Sequence, residues 1–240
     1  DFNKDGDFLD TGEKSATVTV NASGSQDVSF TTPAGMTTGT TYARFRLSST
    51  QTQAESSIGA ATSGEVEDYA LPISPSIFGT IWNDSDASIT LNGSESATNA
   101  GGLTVYAVNT SGNVAAKATV AADGTYVIGG LSAAAYTLRL STDSSAAIGA
   151  SAPTASLPTG WVNTGENKNG VTETTTPGEI AVTLSTSNIT NQNFGIEQLP
   201  DTNAVTSATI PNSNGDTSLA STPLAGTDPD GSVASFKIVT

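Results

Sequence analysis

The sequence predicts an all-β protein built of tandem antiparallel β-sandwich modules, and three observations predict it. Apolar residues alternate with period two in several separate runs, the pattern of a half-buried strand. Ser and Thr exceed a quarter of the 240 residues and Gly numbers 24, while charged residues are only 13% and helix formers such as Glu, Lys and Leu are sparse. Clusters of Gly, Pro, Asn and Asp punctuate the runs as turns.

In chain order, Ala16, Val18 and Val20 alternate with Thr17 and Thr19 and predict a first strand. Thr32-Pro33-Ala34-Gly35 predicts a turn. Ala43, Phe45 and Leu47 alternate with Tyr42, Arg44 and Arg46, which predicts a second strand. The run Ile77-Phe78-Gly79-Thr80-Ile81-Trp82 predicts a third, with Trp82 packed in a core or at an edge. Asp123-Gly124 is a turn signal, and the Ala-rich stretch from Ser144 to Ala152 fits either a short helix or an ordered loop. Ile180, Val182 and Leu184 alternate again, followed by turn signals at Asn214-Gly215 and Pro229-Asp230-Gly231. Pro72 to Ser76 and Gln198 to Asp201 read as short stiff linkers. They divide the chain into modules at 1–74, 75–198 and 199–240. The last is too short for an independent core. The chain starts at Asp1 without a signal peptide and stops inside the strand-like run Ser235 to Thr240, so an internal segment of a longer protein is expected.

Composition narrows the chemistry. Without Cys or His, disulfide staples, thiolate catalysis, imidazole metal sites and Ser-His-Asp systems are all excluded. Eight Lys plus Arg against 23 Asp plus Glu give a formal charge of −15, which argues against nucleic acid and anionic membrane surfaces as partners. No stretch is long and apolar enough to insert into a membrane. Oxygen chemistry remains, and with it hard cations such as calcium.

Asp1-Phe2-Asn3-Lys4-Asp5-Gly6-Asp7 has the form of the front half of a calcium loop. Oxygen-bearing side chains at alternate positions converge as the backbone curls, and Gly6 permits the sharp turn. Glu13 or Asp10 is placed to close the shell of Asp1, Asn3, Asp5 and Asp7. A second, degenerate loop offers Asp84, Asp86, Ser88, Thr90, Asn92 and Glu95 at loop positions 1, 3, 5, 7, 9 and 12, with Ile89 where a turn glycine is expected. Asp228-Pro229-Asp230-Gly231 reads as a simple turn. The cluster Gly64-Glu65-Val66-Glu67-Asp68-Tyr69 has three readings: ion pairs with Arg44 and Arg46 across a strand pair, a metal shell shared with the first loop, or a glycosidase-like carboxylate pair. The catalytic reading is weakest, because aromatics at 6% cannot line a sugar cleft. Trp161 is the candidate for stacking on sugar, and the Asn-x-Ser/Thr sequons at Asn21, Asn92, Asn109 and Asn188 are expected by chance at this Ser/Thr content.

These motifs carry resemblances. Asp1 to Phe8 with Thr11-Gly12-Glu13, then Tyr42-Ala43-Arg44-Phe45-Arg46, then Gly64-Glu65-Val66-Glu67-Asp68-Tyr69, resemble the GEVED domain of secreted and surface proteins, mainly of Bacteroidota, without the strand that usually precedes the first Asp. Residues 77–197 resemble the prealbumin-like B-type (SdrD/Cna-B-like) stalk domains of bacterial adhesins. The likeness rests on Gly79 to Asp84, Leu103 to Tyr106, Asp123 to Leu131 and Tyr136-Thr137-Leu138. That resemblance places the Asp84 to Glu95 loop where calcium-binding stalk domains carry their acids. The internal Lys–Asn isopeptide bond of some such domains is not expected, because the first strand has no Lys. Leu224 to Val233 is similar to the opening of an Ig-like or cadherin-like repeat.

The order of modules is similar to giant modular adhesins of Bacteroidota, including gliding-motility adhesins, which implies export by the type IX system to the cell surface. The expected function is a non-enzymatic stalk segment with Ca2+ as its cofactor. Its expected partners are neighbouring modules of the same long chain, further copies through self-association, and a surface polysaccharide or a host or substratum ligand. Two alternatives stand beside it: a self-assembling subunit of an extracellular filament or surface layer, and a carbohydrate-binding accessory region of a secreted enzyme.

Overall fold

The computed structural model describes residues 1–20, 24–30, 32–33, 36, 38–93, 95–173, 176–202 and 226–233. The turn at Ala34-Gly35, the Asn214-Gly215 turn, the Asn21 sequon and the run Ser235 to Thr240 lie outside these residues, as does most of 199–240. The chain divides into two compact units, Asp1–Pro75 with Ser185–Ser187, and Ser76–Leu184 with Asn188–Thr240.

The regular part of the first unit is a two-stranded antiparallel ribbon of β1 (Gly39–Ser48) and β2 (Gly64–Ile73). A single helical turn, α1 (Gln51–Ala54), lies in the connection. The register pairs Arg44 with Asp68, Phe45 with Glu67 and Ala43 with Tyr69. One face therefore carries Ala43, Phe45 and Leu47 beside Glu65, Glu67, Tyr69 and Leu71. Phe45 and Tyr69 meet edge to face at 5.4 Å, yet Phe45, Leu47 and Tyr69 each remain about half exposed or more. The strand expected at Ala16 to Val20 does not form. Val18 and Val20 are exposed, and among the described residues no strand pairs with this stretch. Alternation alone cannot make a strand without a partner to take its hydrogen bonds.

The second unit is a β-sandwich. Its strands are β3 (Ile77–Asn83), β4 (Thr104–Asn109), β5 (Val114–Thr119), β6 (Thr125–Ile128), β7 (Ala134–Ser141), β8 (Trp161–Lys168), β9 (Val171–Glu173), β10 (Glu179–Leu184) and β11 (Gln192–Gln198). One sheet runs β10-β7-β4-β5 and the other β6-β3-β11-β8-β9. All pairings are antiparallel except β3 with β11, which runs parallel and ties the first strand to the last. A short pair, β12 (Asp201–Thr202) with β13 (Gly226–Thr227), follows. Ile180, Val182 and Leu184 point inward as their alternation predicts. They share one core with Ile77, Ile81, Val105, Leu138, Leu140, Phe194 and Ile196, contributed by both sheets. Each such side chain, fully buried, stabilises the fold by roughly 1.5–3 kcal/mol. Trp82 is buried in this unit, as the sequence suggested, at 1% exposure.

The Ala-rich stretch is an ordered loop and not a helix. It lies along the edge of β5, where Val114 N donates to Ala150 O and Gly149 N to Val114 O. Lys117 Nζ holds it with bonds to the carbonyls of Ser144 and Ala146, both 2.8 Å. That arrangement covers one sheet edge. On β10 at the other, Lys168 Nζ donates to the Ala181 carbonyl at 2.5 Å. Covered edges and edge lysines both discourage pairing with a foreign strand.

Candidate calcium loops

Asp84 follows β3 directly and is fully buried. Its carboxylate organises the loop after it. Oδ1 accepts from Ser88 N at 3.0 Å and Oδ2 from Ile89 N at 3.0 Å. Oδ2 also accepts the Thr164 hydroxyl from β8. Asp86 Oδ1 shares the Ser88 amide at 3.0 Å, and Asn92 Nδ2 donates to Ser88 Oγ at 2.7 Å. Glu95 Oε2 accepts from Asn92 N at 3.0 Å, while its Oε1 is buried without a hydrogen-bond partner among the described residues. Carboxylate oxygens of Asp84, Asp86 and Glu95 all lie within 4.8 Å of one another. Burial raises the Glu95 pKa first, and the charges of Asp84 and Asp86 raise it further. Hydrogen bonding from Ser88 lowers that of Asp86.

Ile89 occupies the position where a turn glycine was expected, and it adopts the glycine conformation, φ +60°. For a β-branched residue this backbone is strained. Its side chain is seated against Gly165 of β8, where an added Cβ would lie 2.7 Å from Ile89 Cδ1. Asn167 Nδ2 donates to the Ile89 carbonyl at 3.1 Å. Gly195 of β11 leaves the space used by Thr164 and Asp84, since a Cβ there would meet Thr164 Oγ1 at 2.6 Å and Asp84 Oδ2 at 3.1 Å. These supports, Thr164, Gly165, Asn167 and Gly195, carry no local motif. Only the pairing of β11 with both β3 and β8 brings them beneath a loop that lies far earlier in the chain. A hard cation fits the donor set: three carboxylates with hydroxyl and amide oxygens, one carboxylate oxygen buried and without a partner among the described residues.

In the first unit, the structure separates the two acids offered to close the shell, Glu13 and Asp10. Asp5, Asp7 and Asp10 bring carboxylate oxygens within 4.8 Å of one another, all exposed. Asp10, the other candidate to close the shell, is thus the one beside Asp5 and Asp7. Glu13 turns instead to the backbone, accepting from Phe2 N at 2.6 Å and Asp10 N at 3.4 Å. Asp1 Oδ2 accepts from Gly6 N at 3.2 Å, and Asn3 Nδ2 donates to Asp5 Oδ2 at 2.9 Å. Desolvation raises the Asp10 pKa, with Asp5, Glu13 and Asp7 adding repulsion, whereas hydrogen bonds from the Asp7 backbone and Asn3 lower that of Asp5. Gly6 turns at φ +94° as the pattern requires.

Of the acids on β2, Asp68 meets Arg44 as an ion pair. Arg44 Nε and Nη2 each donate to its carboxylate at 2.7 Å, and Nη1 donates to Ser57 O at 3.0 Å. The Arg44 guanidinium also lies 4.7 Å from the Phe8 ring centre. Arg46 binds backbone carbonyls, Gln53 at 3.1 Å and Gly59 at 2.8 Å. Glu65 and Glu67 face the opposite side from both arginines. Residues 1–72 match the GEVED domain family. The match takes in the first acidic loop, the Arg44–Asp68 pair and the motif on β2 that gives the domain its name, and it covers less than a third of the chain. A search of curated proteins found no match to the chain.

Elsewhere, Asp228 Oδ1 accepts from Asp230 N at 3.5 Å within the expected turn, and Asp230 Oδ2 reaches outside it to accept from Gln198 N at 3.1 Å. Trp161 is half-buried and packs against the sandwich core, as Leu157 does. No described helix is long and apolar enough to cross a membrane.

Proposed function

We propose that the chain is a non-enzymatic structural segment of a modular extracellular protein, a calcium-stabilised stalk piece of a surface adhesin that serves adhesion or gliding. The match to the GEVED domain supports a modular extracellular setting. The observation that carries the calcium reading is the Asp84–Glu95 loop, with converging carboxylates, a strained turn at Ile89 and a buried Glu95 oxygen that has no partner among the described residues. Three close carboxylates repel in the absence of a cation, so binding stabilises the folded state by linkage. Extracellular calcium modules bind at roughly 10⁻⁴–10⁻³ M. At ten times Kd the gain is about 1.4 kcal/mol, an upward shift of a few degrees in Tm. Thermal unfolding in excess chelator against millimolar calcium tests this. An unchanged Tm, together with an Asp86→Asn/Glu95→Gln variant that behaves identically in both buffers, sinks it.

A second reading, self-assembly into a filament or layer, is favoured by the exposed row of Phe45, Leu47, Tyr69 and Leu71 on one face of the β1–β2 ribbon. It predicts concentration-dependent association by light scattering that a Phe45→Ser/Leu47→Ser variant abolishes.

A further inference from the structure

Asn92, at the ninth position of the Asp84–Glu95 loop, is followed by Gly93. Both residues are exposed. Around Asn92 its own backbone is engaged at both ends with Glu95: Asn92 N donates to Glu95 Oε2, and Asn92 O accepts from Glu95 N, both at 3.0 Å. The amide of Gly93 is different. Among the described residues it has no acceptor, and the space around its α-carbon is open, with nothing within 4 Å of an added Cβ. A free, unhindered glycine amide beside an asparagine side chain is the arrangement from which a five-membered succinimide closes.

A second pair in the same chain provides the contrast. Asn169-Gly170 forms the tight turn between β8 and β9, with φ +54° and +85°. There the Gly170 amide is committed to Asn167 Oδ1 at 2.9 Å, and Asn169 Oδ1 accepts from Gln192 Nε2 at 3.2 Å. Both asparagine side chains are hydrogen-bonded, so the difference between the two pairs lies in the nucleophile, which at Gly170 is committed to an acceptor.

We propose that Asn92-Gly93 is a site of spontaneous deamidation, and that its product adds a fourth carboxylate to the Asp84–Glu95 loop. The Gly93 nitrogen attacks Asn92 Cγ and gives its proton to solvent base. The Cγ–Nδ2 bond breaks and ammonia leaves. Water then opens the ring at either carbonyl, giving aspartate or isoaspartate. The exchange matters because of what surrounds Nδ2. It donates to Ser88 Oγ at 2.7 Å, Thr90 O at 3.1 Å and Asp86 Oδ2 at 3.4 Å. An oxygen anion in its place faces the Thr90 carbonyl and the Asp86 carboxylate, which repel it unless a cation lies between them. The modification therefore weakens the cation-free loop and strengthens its hold on a divalent cation. This second half rests on the calcium reading above; the covalent step does not.

The test ages the intact protein in chelator at mildly alkaline pH and follows each asparagine peptide by mass spectrometry. The Asn92 peptide is expected to gain about one mass unit, as a mixture of aspartate and isoaspartate forms, well ahead of the Asn169 peptide. Asn92→Gln is expected to abolish the gain. Equal rates at Asn92 and Asn169, or an unchanged Asn92 peptide under conditions where a synthetic peptide of residues 88–96 deamidates, overturn the proposal. The charge consequence is read separately with Asn92→Asp: its Tm in chelator should fall below that of the parent, and its shift on adding calcium should be larger. If the mass gain appears but this variant responds to calcium no more than the parent, the modification stands and its cation role is overturned. If parent and variant both ignore calcium, the calcium reading itself fails.

Discussion

Thr164 on β8 donates its hydroxyl to Asp84 at the end of β3, joining residues eighty positions apart beneath the acidic loop. The bond runs through space that Gly195 leaves empty. It fixes a fully buried carboxylate that also holds the Ser88 and Ile89 amides. Loop shape is thus set from the sandwich below it and not by the loop sequence alone.

Thr164→Val keeps the volume and removes the donor. It should destabilise the second unit by about 1–2 kcal/mol, because a buried carboxylate oxygen loses a hydrogen bond. Gly195→Ala should cost at least as much by driving a methyl group against the same two side chains. Denaturant melts of both variants check this, and wild-type midpoints would remove the support role of Thr164.

Gly165→Ala tests the seat of Ile89. The new methyl would lie 2.7 Å from Ile89 Cδ1, on a backbone at φ +152° that side chains rarely adopt. The expected outcome is a loss of about 1–3 kcal/mol and a weakened calcium response. Ile89→Gly should preserve that response, since glycine takes φ +60° without strain.

Glu166 supplies a pH dependence. It is fully buried, accepts from Gly178 N at 2.6 Å through Oε1, and leaves Oε2 without a partner among the described residues, opposite Glu173 in the β8–β9 register. Desolvation raises its pKa first, and Glu173 raises it further, against the hydrogen bond from Gly178. The folded state therefore keeps this proton to higher pH than the unfolded chain. Its contribution is fully present below the ordinary glutamate range and is lost as pH rises through the folded value. Glu166→Gln should raise Tm at pH 7 and flatten the Tm profile between about pH 4 and 7. Superimposable profiles would rule this out.

In the first unit, Arg44→Lys replaces a two-pronged contact by a point charge and leaves the Ser57 carbonyl without its donor. Asp68, whose pKa the Arg44 bond lowers, contributes stability above the ordinary aspartate range and loses it as pH falls through the folded value. The variant should lower Tm at neutral pH and narrow the gap to the acid melt. An unchanged gap would mean the exposed pair is fully screened.

The amino-acid sequence by itself determined the all-β class, because period-two alternation and turn residues are local properties. It placed β1, β3 and β10, the burial of Trp82, and both acidic loops, since oxygen-bearing residues at fixed spacing are read without a fold. It offered ion pairs with Arg44 and Arg46 as one of three readings of the acidic cluster, and the register sets Asp68 opposite Arg44. One local reading did not carry through: Ala16 to Val20 alternates without a neighbour to pair with among the described residues; of the two acids offered to close the first loop, Asp10 is the one beside Asp5 and Asp7. The tertiary structure alone decided what supports the second loop. Thr164, Gly165, Asn167 and Gly195 have no signature in their own neighbourhoods, and their meaning arises only when β8, β11 and the loop after β3 are brought together by a shared core. The same holds for Ile89. Its sequence position argued for a glycine, and only packing against Gly165 explains how an isoleucine can hold a glycine's backbone.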